Sequence, residues 1–336
     1  MELAPTPVSI IAPSSVVPQV ELSMGIQRLR FAGLSPYVHP QCSAEQFVFA
    51  GTDQQRAAAL FDVARDPQYP ILWAARGGYG ATRLLPLLDQ LTQQHGPPPP
   101  GKLYVGYSDS TALHPFFRQH WAWHTLHAPM PAATHFLTIS DEELSQTTDL
   151  LRKRLPRGGW LSQPLMYLAN PPAVPLRGAL TGGNLSLWAA LAGTPYQPSA
   201  AGHILFFEDV DEQPYRIDRM VTQLGQAGAF DDAAAIVLGD FTSCDDRPNQ
   251  VLAAPPADMA QLAAAPRNPL RRKYSIEESL REIFVPIAHR FKIPLATGLP
   301  VGHGPHFSPL PLGGEYELTP AGGMSLCSWD WLDPAT

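Results

Sequence analysis

Ser108 is the residue in this sequence whose surroundings most favour nucleophilic chemistry. It lies between the apolar run KLYVGY and the helical pattern STALHPFFRQHW, so we predict a sharp turn from a strand into a helix here. The start of a helix offers unpaired N–H groups and partial positive charge, which stabilise an oxyanion during acyl transfer. The match to G-x-S-x-G is partial, because Ser110 occupies the last glycine position. The alternative is that Ser108 or Ser110 only caps the helix.

A glycine-rich loop in ILWAARGGYGATRLLPLLD is the second candidate feature. Glycines allow the backbone to approach a ligand closely, so the amides of Gly77 or Gly78 could complete an oxyanion hole with that of Asp109. Arg76 could hold a substrate carboxylate, or it could brace the loop. The segment matches neither a dinucleotide fingerprint nor a P-loop, and a simple tight turn remains the alternative.

A carboxylate and a histidine complete the set of candidate catalytic residues. Glu208 and Asp209 end the apolar run HILFFEDV, and the carboxyl end of a strand is where open α/β sheets bind ligands. His303 lies between two glycines in VGHGPH, where it could act as a base oriented by one of these carboxylates. Asp211 and Glu212 could equally be solvated or paired with nearby arginines, and His303 could be polar surface.

Composition excludes several functional classes. The net charge of −7 and the presence of four lysines leave no basic stripe for nucleic acid. Three distant cysteines match no disulfide framework or C-x-x-C motif. The histidines at 114, 120, 124 and 127 lack the H-E-x-x-H spacing, so we expect no metal and no cofactor. The N-terminus lacks a basic leader and no run of about 18 apolar residues occurs, so we expect a cytoplasmic protein without membrane contact.

The elements that must position these residues follow an α/β pattern. Short apolar runs alternate with helical patterns through the first half, which predicts a parallel sheet. We predict a domain at 1–165 that carries the nucleophile, a proline-rich linker at 166–176 and a second domain at 177–336 with the acid and base. The polar stretch from Asp245 to Tyr274 is interpreted as an inserted loop, followed by a helix with a Ser275–Glu278 capping box.

Five segments, in order, resemble the LD-carboxypeptidase (muramoyl-tetrapeptide carboxypeptidase) family of serine peptidases. They are ARGGYGATRLLPLLD, GYSDSTALH, GGNLSLWAALAGTPY, ILFFEDVDEQPYRIDRMVTQL and PVGHG. The resemblance extends from about Ser9 to Leu312. It implies a triad of Ser108, Glu208 and His303, with an oxyanion hole from the amides of Gly78 or Gly77 and of Asp109.

The resemblance also implies a fold and a substrate. The fold would combine a flavodoxin- or amidotransferase-like parallel-sheet N-terminal domain with a smaller, β-rich, swivelling, barrel-like C-terminal domain. The activity would be cleavage of the amide that joins a diamino acid to terminal D-alanine in murein tetrapeptides, by a cytoplasmic homodimer that recycles cell wall. The alternatives are a microcin C-type self-immunity amidase with the same triad, and a non-catalytic muropeptide-binding protein.

Overall fold

The N-terminal part of the chain folds around a six-stranded sheet with the order β11-β5-β4-β3-β1-β2. The computed structural model describes residues 5–156, 164–245 and 274–332. Five strands of this sheet are mutually parallel, and β11 adds antiparallel to β5. The strands are β1 (Thr6–Ile11), β2 (Leu34–Val38), β3 (Ile71–Ala74), β4 (Leu103–Gly106), β5 (His124–His127) and β11 (Leu310–Leu312).

Helices connect these strands, and their first residues explain where they begin. Thr52 with Gln55 and Ser140 with Glu143 form capping boxes, while a proline occupies the first turn of α3. The helices are α1 (Gln19–Phe31), α2 (Asp53–Arg65), α3 (Leu85–His95), α4 (Leu113–Trp121), α5 (Thr134–Thr138) and α6 (Asp141–Leu151), with short 3-10 helices at Pro40–Ser43, Ala81–Leu84 and Ser108–Ala112.

A seven-stranded sheet with the order β13-β12-β7-β8-β9-β10-β6 forms the C-terminal part. Strands β7 to β10 are parallel and the remaining pairs are antiparallel. The predicted capping box at Ser275 and Glu278 begins α9. The elements are β6 (Met166–Ala169), β7 (Leu176–Asn184), α7 (Leu185–Leu191), β8 (His203–Val210), α8 (Pro214–Gln226), β9 (Ala235–Thr242), α9 (Ile276–Phe291), β10 (Leu295–Thr297), β12 (Glu315–Leu318) and β13 (Met324–Ser328).

The predicted fold class is confirmed: a parallel-sheet N-terminal domain is joined to a curled, β-rich C-terminal sheet. Two details differ from the predicted organisation. Residues Met166–Ala169 of the predicted linker form β6, because this apolar run precedes the prolines and can pair with β10 at the sheet edge. Strand β11 lies within 177–336 yet joins the first sheet. The predicted insertion at 245–274 lies outside the described residues except for its two ends.

The largest apolar core contains side chains from both sheets. Trp73 and Phe117 belong to the same buried cluster as Phe206 and Tyr316. Burial of each such side chain contributes about 1.5–3 kcal/mol, so the two sheets stabilise each other. A second cluster packs α7, α8 and α9 against the C-terminal sheet. Of the helices in the described ranges, none combines the length and apolarity that a membrane span requires.

Candidate active site

The Ser108 turn places a half-buried serine at a sharp junction between a strand and a helix. Strand β4 ends at Gly106 and the 3-10 helix begins at Ser108, whose φ is +60°, an unfavourable value for a residue with a side chain. A Cβ at Gly106 would lie 2.8 Å from the Ser110 side chain, so the tight turn requires glycine there. Neither serine caps the helix, since the N-cap is Tyr107. Ser110 is buried and accepts a hydrogen bond from the Tyr104 hydroxyl at 3.1 Å.

The glycine loop lies directly against this serine. A Cβ added to Gly77 would lie 3.0 Å from the Ser108 Oγ, so a side chain there would crowd the serine. Within the described ranges, the N–H groups of Gly77 and Gly78 donate to no other group. The amide of Asp109 lies in the first turn of its helix, where N–H groups have no intrahelical partner. The structure therefore places the three predicted oxyanion donors beside Ser108.

The Asp109 side chain connects the two loops, a role that sequence reasoning missed. It is 1 % exposed, and its Oδ2 accepts a hydrogen bond from the amide of Ala81 at 2.8 Å. Burial raises the pKa of this carboxyl. The buried Arg56 also holds the glycine loop, because it donates a hydrogen bond to the Gly80 carbonyl at 3.0 Å. The position of Asp109 after the serine predicts an amide role, but contact with a loop 28 residues away has no signal in the sequence.

Arg76 both braces the loop and faces the cavity. Its Nη1 donates to the Val16 carbonyl at 2.9 Å. The same side chain lines a cavity of about 360 Å³ together with Ser108, His303 and Glu21. Arg76 can therefore both brace the glycine loop and hold a substrate carboxylate in the cavity. Glu21, in the first turn of α1, is a lining residue that sequence reasoning did not identify.

Glu208 and His303 form a hydrogen-bonded pair of a carboxylate and an imidazole. The Glu208 Oε2 lies 2.8 Å from the His303 Nδ1. The carboxylate is fully buried, and the imidazole is largely buried with one edge in the cavity. Burial disfavours the imidazolium, but the charge and hydrogen bond of Glu208 outweigh it, so the pKa of His303 is raised. Because Nδ1–H donates to the carboxylate, Nε2 is the atom available to accept a proton.

The glycines beside His303 let the loop approach the end of β9. A Cβ at Gly304 would lie 2.1 Å from the Asp240 Oδ2, and one at Gly302 would lie 3.1 Å from the Glu208 Cβ. Burial, followed by the charge of Glu208, raises the pKa of Asp240 to about 6. The His303 ring lies 5.0 Å from that of Tyr107, the neighbour of Ser108. Ser108 and His303, which are distant in sequence, thus line one cavity, and Glu208 is hydrogen-bonded to the imidazole behind it.

A polar joint holds the two sheets in register at this site. The Thr111 Oγ1 accepts a hydrogen bond from the backbone amide of Asn184 at 3.1 Å. The Asn184 side chain donates to Asp209 at 3.0 Å, and Ser186 donates to the same carboxylate. Burial, followed by the charge of Glu208, raises the pKa of Asp209 to about 6. The sequence pattern predicts Asp209 at a strand end but not its partners, which lie on another element.

The other candidates lie outside the site. Glu212 pairs with Arg216 at 3.6 Å. This matches the alternative that Glu212 pairs with a nearby arginine. His114 is buried, and burial lowers its pKa to about 3. His120 stacks on Phe116. Within the described parts of the chain, no group of three His, Cys, Asp or Glu side chains could hold a metal ion.

Two family models match the chain. The model of the LD-carboxypeptidase N-terminal domain matches residues 8–128, and that of the C-terminal domain matches residues 177–318. The murein tetrapeptide carboxypeptidase of Pseudomonas aeruginosa is 30% identical over 303 residues, which cover 88% of each chain.

Solved structures are also similar. The muramoyltetrapeptide carboxypeptidase of Oxalobacter formigenes is 30% identical and aligns with a TM-score of 0.70 over 95% of this chain and 97% of its own. The microcin C7 self-immunity protein MccF has a TM-score of 0.72 over 99% and 98%, but at 20% identity this shows the fold alone. On the two domain matches and these relatives, the chain belongs to the LD-carboxypeptidase family of serine peptidases.

Proposed function

We propose that this protein hydrolyses the amide between a diamino acid and the terminal D-alanine of murein tetrapeptides, in the cytoplasm, through an acyl-enzyme on Ser108. The observation that carries the proposal is the 2.8 Å contact between Glu208 and His303 at the cavity that Ser108 also lines. A strained serine, an oriented imidazole and free backbone amides together make a nucleophile, a base and an oxyanion hole.

The proposed reaction begins with proton transfer from the Ser108 hydroxyl to the His303 Nε2. The serine oxygen attacks the carbonyl carbon, and the amides of Asp109 and of Gly77 or Gly78 stabilise the oxyanion. His303 then gives its proton to the nitrogen of D-alanine, the C–N bond breaks and an ester on Ser108 remains. Water attacks this ester with His303 again as base, which frees the second product. Glu208 stabilises the imidazolium in both steps.

Two charged side chains of the cavity suit the proposed substrate. Arg76 can pair with the carboxylate of terminal D-alanine, because a guanidinium binds carboxylates through two parallel hydrogen bonds. Glu21 can pair with the side-chain ammonium of the diamino acid. A peptide that carries both charges would be oriented with its scissile carbonyl over Ser108. The imidazole that Glu208 orients in the same cavity favours turnover over passive binding, since a positioned base serves proton transfer.

The experiment is incubation of the full chain with murein tetrapeptides that contain L-lysine or meso-diaminopimelate, with mass spectrometry of the products. We expect loss of one alanine from the wild type and none from Ser108→Ala. Exclusive cleavage of an acyl-sulfamoyl adenylate would favour the microcin-type amidase. Tight binding of the tetrapeptide without turnover would favour a binding protein, and either result would contradict the proposed function.

A further inference from the structure

A second cavity lies at the opposite end of the strands from the Ser108 site. Its volume is about 410 Å³, and its walls include His124 and His203, the first residues of β5 and β8. Glu208 lies five residues further along β8 than His203. Because a strand rises about 3.3 Å per residue, the two sites are separated by roughly 16 Å along this strand. The second cavity is therefore distinct from the first.

Arg118, on α4, gives this cavity its charge. Its guanidinium rests on the backbone of Gly313, where an added Cβ would lie 2.6 Å from Nη2. Within the described ranges, Arg118 makes no ion pair and no hydrogen bond. Burial lowers the pKa of this guanidinium, and no neighbouring carboxylate compensates. A partly buried charge without a partner in the described chain costs free energy, and part of this cost is recovered when an anion binds.

The remaining groups around the cavity do not neutralise Arg118. Burial lowers the pKa of His203, and Arg118 adds to this while a hydrogen bond with the Ala201 carbonyl opposes it. The pKa of His124 is also lowered, first by burial, and Lys153 and Arg118 add to this while Asp330 opposes it. Both imidazoles are therefore neutral near neutral pH and add no charge. Asp330 is the one carboxylate among the described lining residues, and it is exposed. Among the described lining residues, the charge inside the cavity is therefore that of Arg118.

We propose that this cavity is a second binding site, which takes a small ligand with a carboxylate or phosphate group. Arg118 holds the anionic group through parallel N–H···O bonds, for which its planar fork is suited. The buried rings of Trp123 and Trp329 line the cavity and provide a surface for an apolar portion of the ligand.

The test is calorimetric titration of the full chain with inorganic phosphate and, separately, with acetate. We expect millimolar binding of at least one, and the two titrations distinguish a phosphate from a carboxylate site. Arg118→Gln should weaken binding about tenfold or more, because hydrogen bonds to charged groups are lost. Arg30→Gln, at an exposed position of α1 outside both cavities, is the matched control and should leave binding unchanged. Arg76→Gln reports any binding of the anions in the Ser108 cavity.

Two results would overturn the proposal: no binding of either anion to the wild type, or binding that Arg76→Gln abolishes and Arg118→Gln leaves intact. Arg118→Gln should unfold at the same temperature as the wild type or higher without ligand, since it removes a partly buried charge that has no partner within the described chain. If that variant fails to fold, Arg118→Lys keeps the charge but loses the planar fork. It should still weaken phosphate binding, and unchanged affinity would contradict the proposal.

Discussion

At the scale of single residues, the environment of the His303 imidazole determines the conditions under which the site can work. The Glu208 side chain is fully buried, and within the described chain its other oxygen, Oε1, has no hydrogen-bond partner. The Glu208 carboxylate therefore acts mainly on His303, its hydrogen-bond partner. Its charge raises the pKa of His303 although burial opposes this. A base must be neutral to accept a proton, so we expect activity to fall as the pH drops through the raised pKa of His303.

Replacement of Glu208 by glutamine tests this relation. Glu208→Gln removes the charge that raises the pKa of His303, so the acidic limb of the pH profile of kcat/KM should move to lower pH. The plateau should fall by about 10²–10⁴-fold, since the imidazolium loses its stabilising carboxylate. Glu212→Gln, which alters the ion pair with Arg216, is the control and should leave the profile unchanged. An acidic limb that stays in place in Glu208→Gln would contradict the proposed pairing.

Loss of the serine hydroxyl is the second residue-scale prediction. Ser108→Ala should reduce the release of D-alanine by about 10⁴-fold or more, because the acyl-enzyme cannot form. The exposed Ser145→Ala on α6 serves as a control that should retain full activity. Mass spectrometry of the released alanine measures the activity of both variants. Appreciable activity in Ser108→Ala would show that another group is the nucleophile.

Residue types and positions identified Ser108, His303 and the carboxylates at the end of β8 as candidates, and the family resemblance selected Glu208 among those carboxylates. The supporting polar partners were not predictable in the same way. Asp240 packs against Gly304, and Thr111 accepts from Asn184, across distances of 64 and 73 residues in the chain. Such contacts arise only when strands from different parts of the chain become neighbours, and no local pattern encodes them.

At the scale of elements, glycines position the catalytic loops by allowing close packing. The sequence predicted that the glycines of ARGGYG and VGHGPH give a ligand access. In the structure they also allow close packing between separate segments of the chain. Gly77 packs against Ser108, and Gly304 packs against Asp240. Loop conformation, not only loop composition, therefore brings the imidazole into the cavity that Ser108 lines.

A methyl group at Gly304 should displace the histidine loop. Its Cβ would lie 2.1 Å from the Asp240 Oδ2, which leaves no space without movement. We expect Gly304→Ala to lower kcat by about 10²-fold, the loss associated with misplacement of a catalytic group by about 1 Å. Gly225→Ala on α8 is the control, since its nearest neighbour would be at 3.7 Å. Equal activity of the two variants would contradict the packing argument.

At the scale of the whole molecule, the site depends on two sheets that are tied together. The alternation of strands and helices predicted the first sheet and the family resemblance implied the β-rich second domain, but neither could predict that β11 returns to the first sheet. Apolar residues of both sheets share one core, and the joint of Thr111, Asn184 and Asp209 lies beside the candidate triad. The homodimer that the family resemblance implies remains a prediction, which light scattering of the purified protein would test.

The polar joint should contribute measurably to stability. Asn184→Ala removes the hydrogen bond to Asp209 and the N-cap of α7, so the free energy of unfolding should fall by about 1–3 kcal/mol. Urea denaturation measures this change. Gln90→Ala, at an exposed position of α3, is the control. A variant at Asn184 as stable as the one at Gln90 would show that the joint contributes nothing to stability.

Residues Leu310–Leu312 belong to the first sheet although they lie near the end of the chain. The N-terminal domain therefore cannot be separated as a simple N-terminal fragment without losing an edge strand. An amino-terminal fragment produced alone would leave the edge of β5 bare, with backbone donors and acceptors free to recruit a strand from another molecule. Such a fragment is expected to self-associate, and addition of a peptide that spans Leu310–Leu312 should suppress this. Evolutionary exchange of the two halves between relatives would therefore have to transfer this short strand together with the first half.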